Sequence, residues 1–230
     1  MIAGGRLLAG DGKQVAVFPA LAINTTQGAG GYYSHLCSFA NDNAAPVGQK
    51  KIYAPCDMKL VSKDLSWING YTVIFQTVEP VYTAAFGLSH FTLVLTHADD
   101  ISWLVIGKVY KQGQHIYDEG NSGNVTGTHV HMNVAKGHQT GLINTPCPNS
   151  QFPIWQLPEG VYVDEIFYDN LTQIINVNVN DASLQGWRNY KFKTFEGGTT
   201  PDPDPDPDPD PSGDSDILTH MMCKTLPNFF

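Results

Sequence analysis

Four short runs restrict the fold more than anything else in the chain: "GYTVIFQTV" (70–78), "HFTLVLTHA" (90–98), "WLVIGKVY" (103–110) and "THVHMNVA" (128–135). Each is rich in β-branched or aromatic residues and bounded by Gly, Asn or Asp, the pattern of short strands closed by turns. "GQKKIYAPCDMKLVS" (48–62) is expected to add two paired strands with their turn at 55–57. No helix of three turns or more is expected before residue 160. Beyond it, "LPEGVYVDEIFYDN" and "LTQIINVNVN" read as further strand-like or short helical pieces. No repeat of fixed period is present. The expected class is therefore mainly β (β-rich α+β), built on antiparallel sheet. A hydrophobic fraction of 42% supplies the apolar area for a packed core.

The second constraint is "GGTTPDPDPDPDPDPSGDSD". Proline at alternate positions forbids helix and sheet ladders, and the intervening aspartates repel one another. An extended spacer is expected over 199–213, with the eleven residues of the tract spanning about 34 Å. The 17 residues that follow, 214–230, are too few to fold alone, so they form a tail or the start of a further module. The tract also distorts the charge. The net charge is -9, but residues 201–216 hold seven aspartates, and residues 1–200 carry 15 acidic and 12 basic side chains. No Lys/Arg cluster is available to neutralise phosphates, so a nucleic-acid partner is not expected. No segment is apolar for long enough to span a bilayer, and the amino terminus lacks the pattern of a signal peptide. The four cysteines, at 37, 56, 147 and 223, have no CxxC spacing. Free or buried thiols are expected, with a Cys37–Cys56 bridge as the alternative.

"SGNVTGTHVHMNVAKG" (122–137) carries the chemistry. In a strand, residues i and i+2 face the same side about 6.6 Å apart, so His129 and His131 can address one cavity. Both could bind one ion, or one could bind while the other stands beside the metal's water; spacing does not choose, and a solvated strand face would show the same pair. The longer stretch "IGKVYKQGQHIYDEGNSGNVTGTHVH" resembles the segment that closes the active site of the lysostaphin/LytM-type zinc metallopeptidases. The match runs through Gly107, Val109, Gly113, Gln114, Ile116, Gly120, Ser122, Gly123, Thr126, Gly127, His129 and His131. Upstream, "DNAAPVGQKKIYAP" (42–55) is similar to the family segment that follows its first motif. "YSHLCSFAND" is similar to that motif itself, with six residues between His35 and Asp42 as in phage-type members. "FTLVLTHADD" places His97 where family members carry a histidine at a strand end.

The resemblance covers roughly residues 30–137. It implies one Zn2+ per chain in a cleft on the sheet, held by His35, Asp42 and His131, with His97 and His129 as the catalytic pair. Two imidazoles and one carboxylate leave a coordination position open for water. It further implies a peptidoglycan endopeptidase, with residues 1–140 as the catalytic domain and 141–198 as an accessory part of it. A wall-binding module would lie beyond the spacer. With no signal peptide, the protein would reach the wall by release from the host cytoplasm during lysis or by transport in a virion. Three other readings stay open: an inactive domain that binds wall or partner peptides, a virion structural protein with a lytic domain, and a β-rich carrier-like or jelly-roll domain whose histidines hold some other metal, or none. The remaining histidines, His90, His115 and His138, are expected to be solvated or locally hydrogen-bonded, and His220 lies past the spacer.

Overall fold

The computed structural model describes residues 6–31, 33–66, 70–148, 150, 153–169, 172–178 and 188–196. The spacer expected at 199–213 and the tail at 214–230 lie outside the described residues. In chain order the strands are β1 (Ala22–Gln27), β2 (Asn41–Asn43), β3 (Lys51–Tyr53), β4 (Met58–Asp64), β5 (Tyr71–Thr77), β6 (Val81–Thr83), β7 (Gly87–Ser89) and β8 (Phe91–Ala98). They continue with β9 (Val109–Tyr110), β10 (His115–Asp118), β11 (Val130–Lys136), β12 (Ile143–Thr145), β13 (Ile154–Gln156), β14 (Gly160–Val161) and β15 (Gln173–Asn176). Among the described residues the helical elements are a 3-10 turn (Tyr33–His35) and one short helix, α1 (Val163–Ile166).

Nine strands form one sheet in the order β15-β1-β2-β11-β8-β5-β4-β9, with β14 pairing to the distal part of β11. All pairs in it are antiparallel except β1 with β15. Three two-stranded ladders accompany it: β3–β10, β6–β7 and β12–β13. The centre is apolar on both faces, which is why "FTLVL" is a continuous run instead of an alternation. Phe91, Leu93 and Leu95 point into the main core with Phe75, Met132 and Phe167, while Val94 joins Ile74, Ala135 and Leu157 in a smaller cluster opposite. β11 alternates across the two clusters. Val130, Met132 and Val134 enter the main core, which leaves His131, Asn133 and Ala135 on the other face.

Two expectations fail in instructive ways. Of 103–110, only Val109 and Tyr110 are strand; Lys108 N donates to Val105 O at 3.1 Å, closing a turn around Gly107 at φ 87°. Val105 and Ile106 are each 57% exposed at its tip. The two strands of 48–62 do not pair with each other. β3 pairs with β10 and β4 with β5, because Ile52 and Met58 both enter the main core and Pro55 O is taken by Val17 N and Gln112 Nε2. Tertiary partners, not the local turn, set that register.

The segment after β10 is drawn tightly against the end of β8. A Cβ on Gly120 would lie 2.5 Å from Asp99 N and 2.7 Å from Ala98 C, so any side chain there overlaps backbone. Next to it the buried Glu119 accepts from Ala45 N at 2.9 Å and from Asn43 Nδ2 at 3.3 Å, tying this segment to the end of β2. Burial raises its pKa to about 7, against the hydrogen bonds from Ala45 and Asn43.

Two outcomes are expected. Gly120→Ala should lower unfolding free energy by about 1–3 kcal/mol in urea titration; an unchanged midpoint contradicts the close approach. Because Glu119 binds its proton more tightly folded than unfolded, its stabilisation is complete below about pH 4.5 and is lost as pH rises through 7. The stability of the wild type relative to Glu119→Gln should therefore fall between pH 4.5 and 8 by up to about 3 kcal/mol. A parallel pair of curves contradicts it.

Candidate metal centre

Asp42 and His131 sit directly opposite each other in the β2–β11 ladder, on the face that the main core does not occupy. His35 comes to the same place from a loop. Gly30 N and Ser38 N both donate to its carbonyl, at 3.0 and 2.9 Å, and its ring Nδ1 lies 3.2 Å from Gly28 O. The ring is fully buried. The three ligating atoms converge: His131 Nδ1 is 2.9 Å from Asp42 Oδ1, His35 Nε2 is 3.1 Å from His131 Nδ1, and His35 Nε2 is 3.3 Å from Asp42 Oδ1. Tetrahedral zinc with bonds of about 2.0–2.2 Å needs its ligand atoms about 3.3 Å apart. The trio's spacing is close to what a metal ion of this size needs, and the group is a candidate to hold one.

The side chains become more accessible toward His129 and His131, so the centre opens on that side. Burial disfavours the Asp42 carboxylate, yet the His35 charge and the hydrogen bond to His131 overcome it and hold its pKa well below the usual range. Burial lowers the pKa of His131. Both effects favour the anionic carboxylate and the neutral imidazole, the forms that bind a cation.

His97 and His129 stand next to the trio, their ring centroids 4.8 Å apart, with His97 5.8 Å from His131 and His129 Nε2 3.6 Å from Asp42 Oδ1. His129 Nδ1 donates to Gly127 O at 2.8 Å, and His97 Nδ1 to Ser122 O at 2.9 Å. These bonds fix the tautomers and leave each Nε2 as the lone-pair nitrogen. His97 is the extra residue of a β-bulge: Tyr71 pairs with Ala98 and Thr72 with Thr96, and His97 has φ 89°. A bulge re-aims a side chain that regular pleating would direct elsewhere. Burial, with the neighbouring His131 and His129, lowers the pKa of His97 to about 4.

Further residues hold this set, and of them only Ser122 is among the residues matched in the sequence. Tyr117 is buried beneath the bulge, accepting from Ala98 N at 2.8 Å and donating to Tyr71 O. Ser122 Oγ accepts from Tyr71 N at 2.9 Å. Asn133 is 2% exposed with its amide Nδ2 2.9 Å from His131 Nε2. When Nδ1 gives its lone pair to an ion, Nε2 carries the proton, and the Asn133 amide must turn so that its oxygen, in place of Nδ2, faces Nε2 and accepts it. The i+2 spacing to His131 was the available signal. On the other side, Tyr190 OH accepts from Ala29 N at 3.0 Å and donates to Ala40 O at 3.3 Å, and Arg188 N donates to Ala29 O at 3.1 Å. Arg188 is itself fixed by Asp164, at 2.9 Å. The region near residue 190 thus clasps the loop that carries His35.

The cysteine expectation is corrected: Cys37 bonds to Cys147, and Cys56 is a free, buried thiol against Met58 Sδ. The other described histidines stay apart from the centre. His90 and His138 share Thr77, and His115 stacks on Trp103. A cavity of about 270 Å3 bounded by Arg6, Asp57 and Glu79 includes none of the five site residues.

No protein-family model matches the chain. It is 29% identical over 182 residues to morphogenesis protein 1 of Bacillus phage B103, covering 76% of this chain and 46% of that protein. The chain thus spans less than half the length of that relative. Among solved structures it is similar to the catalytic domain of the prophage-encoded protein EnpA from Enterococcus faecalis, at 23% identity and TM-score 0.40, covering 64% of this chain and 90% of that one. It is also similar to the catalytic domain of the antimicrobial peptidase lysostaphin from Staphylococcus simulans, at 16% identity and TM-score 0.37, covering 50% and 79%. The chain resembles peptidases of the lysostaphin type.

Asn133→Leu should weaken zinc binding about 10- to 100-fold in competition with a chromogenic chelator, while Asn133→Asp retains it. Equal affinity in the leucine variant would show that the amide does not support His131.

Proposed function

We propose that the chain is a zinc-dependent endopeptidase that hydrolyses peptide bonds of bacterial peptidoglycan. The observation that supports this best is the convergence of His35 Nε2, Asp42 Oδ1 and His131 Nδ1 beside two further imidazoles with fixed tautomers. In this reading His35, Asp42 and His131 hold the ion. Bound zinc would supply Lewis acidity toward a carbonyl and lower the pKa of an attacking water.

The chain's own residues do the rest. His97 or His129 takes the proton of the attacking water at Nε2, and the imidazolium so formed donates to the developing oxyanion and then to the leaving amine. The low pKa of His97 keeps it neutral and able to accept at physiological pH. In this reading a groove on the sheet takes the substrate peptide in extended form. Residues 1–140, with 141–198 as the accessory part, act as one unit ahead of the Pro-Asp tract.

A second reading is supported by the phage relative: the chain is part of a virion structural protein whose domain opens the wall locally. Mass spectrometry of purified virions, against free protein late in infection, separates this from a released endolysin.

His131→Ala should lose zinc and activity together. His129→Ala should keep most zinc and lose about 10²–10⁴-fold in turnover, measured as new amino groups released from purified walls. A fully active His129→Ala overturns the assigned role. Zinc binding by the wild type without any release of amino groups from a panel of walls overturns the endopeptidase reading.

A further inference from the structure

The Cys37–Cys147 disulfide joins parts of the chain 110 residues apart and fastens the segment that carries His35, the one residue of the trio outside the β2–β11 ladder. Asp42 and His131 are fixed by ladder pairing, whereas His35 ends a 3-10 turn in the connection between β1 and β2. Cys37 lies two residues after His35 on that loop, with φ 62°, a left-handed backbone uncommon for a residue with a Cβ. The loop folds back on His35 at this point, since Ser38 N donates to His35 O. The other sulfur lies in the connection between β12 and β13. That hairpin is anchored: Ile154 is 1% exposed, and Leu157, just beyond β13, packs with Ile74, Val94 and Ala135 against the central sheet. A covalent path therefore runs from the central sheet, through the hairpin, to the turn that presents His35.

Resting on the metal-site reading, we propose that this disulfide is a positioning element for His35, so that the metal centre is complete in oxidising surroundings and loosened in reducing ones. Formation takes two electrons and two protons from the Cys37 and Cys147 thiols; an external low-molecular-weight disulfide accepts them and leaves as two thiols. Cys37 is exposed and Cys147 half-buried, so both directions of exchange have access, whereas Cys56 is fully buried and stays out of it. A reducing cytosol favours the open dithiol, and an oxidising exterior favours the closed form. The segment 138–157 thereby acquires a role beside the centre: it is the fixed end of the tether.

The test uses the full chain. Peptide mapping first establishes a Cys37–Cys147 linked peptide in the oxidised wild type. Zinc affinity is then measured well below the unfolding midpoint, by competition with a chromogenic chelator, for the oxidised wild type, the same protein reduced and desalted, that sample reoxidised with oxidised glutathione, and Cys147→Ser. The reduced protein and Cys147→Ser should bind at least about 10-fold more weakly, the range for loss of a support behind a ligand. Reoxidation should restore the wild type but not the variant. Thermal stability does not discriminate, because removing any long-range cross-link lowers it. Equal zinc affinity in all four samples, or no linked peptide, overturns the positioning role and leaves the metal centre standing. No zinc bound by the oxidised wild type overturns the metal centre and, with it, this inference.

Discussion

Asp42 and His131 face each other across the antiparallel β2–β11 pair, and the remainder of the site is arranged around that contact. Ladder pairing brings two distant residues to the same face within about 5 Å, and neither can leave without breaking register. β11 meets this demand because its other face is anchored. Val130, Met132 and Val134 enter the main core, so a slip by one residue would pull all three out of it and drive His131 and Asn133 in. The hydrophobic alternation that specifies the sheet also specifies where the imidazole goes.

A carboxylate packed among imidazoles is stable only if the charges are matched. Asp42 is 7% exposed, and isolated burial of its charge would cost several kcal/mol. His35 and His131 offset that penalty, and a divalent ion would offset it further. The supports differ in kind. His131 is held by a strand and by Asn133, His97 by a bulge locked through Tyr117 and Ser122, and His35 by a loop clasped by Tyr190, Arg188 and a disulfide. Left-handed backbone occurs at both His97 and Cys37, and the structure around each residue fixes it.

Much of this was legible in the chain, and what was not has physical causes. The spacing of His129 and His131 could be read because strand alternation is local and has period two. His35, Asp42 and His97 could be placed only through family resemblance, since their approach depends on pairings across tens of residues; the structure brings all five together. The run 103–110 looked like a strand because Leu104, Val105 and Ile106 are apolar, but a left-handed Gly107 turns the chain and leaves two of them in solvent. Strands β3 and β4 looked like a hairpin because they are adjacent in sequence, yet each buries against a different partner. The Cys37–Cys147 link had no local signal at all, and Asn133 resembled any polar residue of a half-buried strand.

In this reading one divalent ion is gripped by His35, Asp42 and His131 with a side left open. A crystal of the zinc-soaked protein, with data collected above and below the zinc absorption edge, tests it most directly. The expected result is one strong anomalous peak about 2.0–2.2 Å from His35 Nε2, an Asp42 carboxylate oxygen and His131 Nδ1, with no fourth protein ligand. A peak bound by other residues, or no peak between these three, would contradict it.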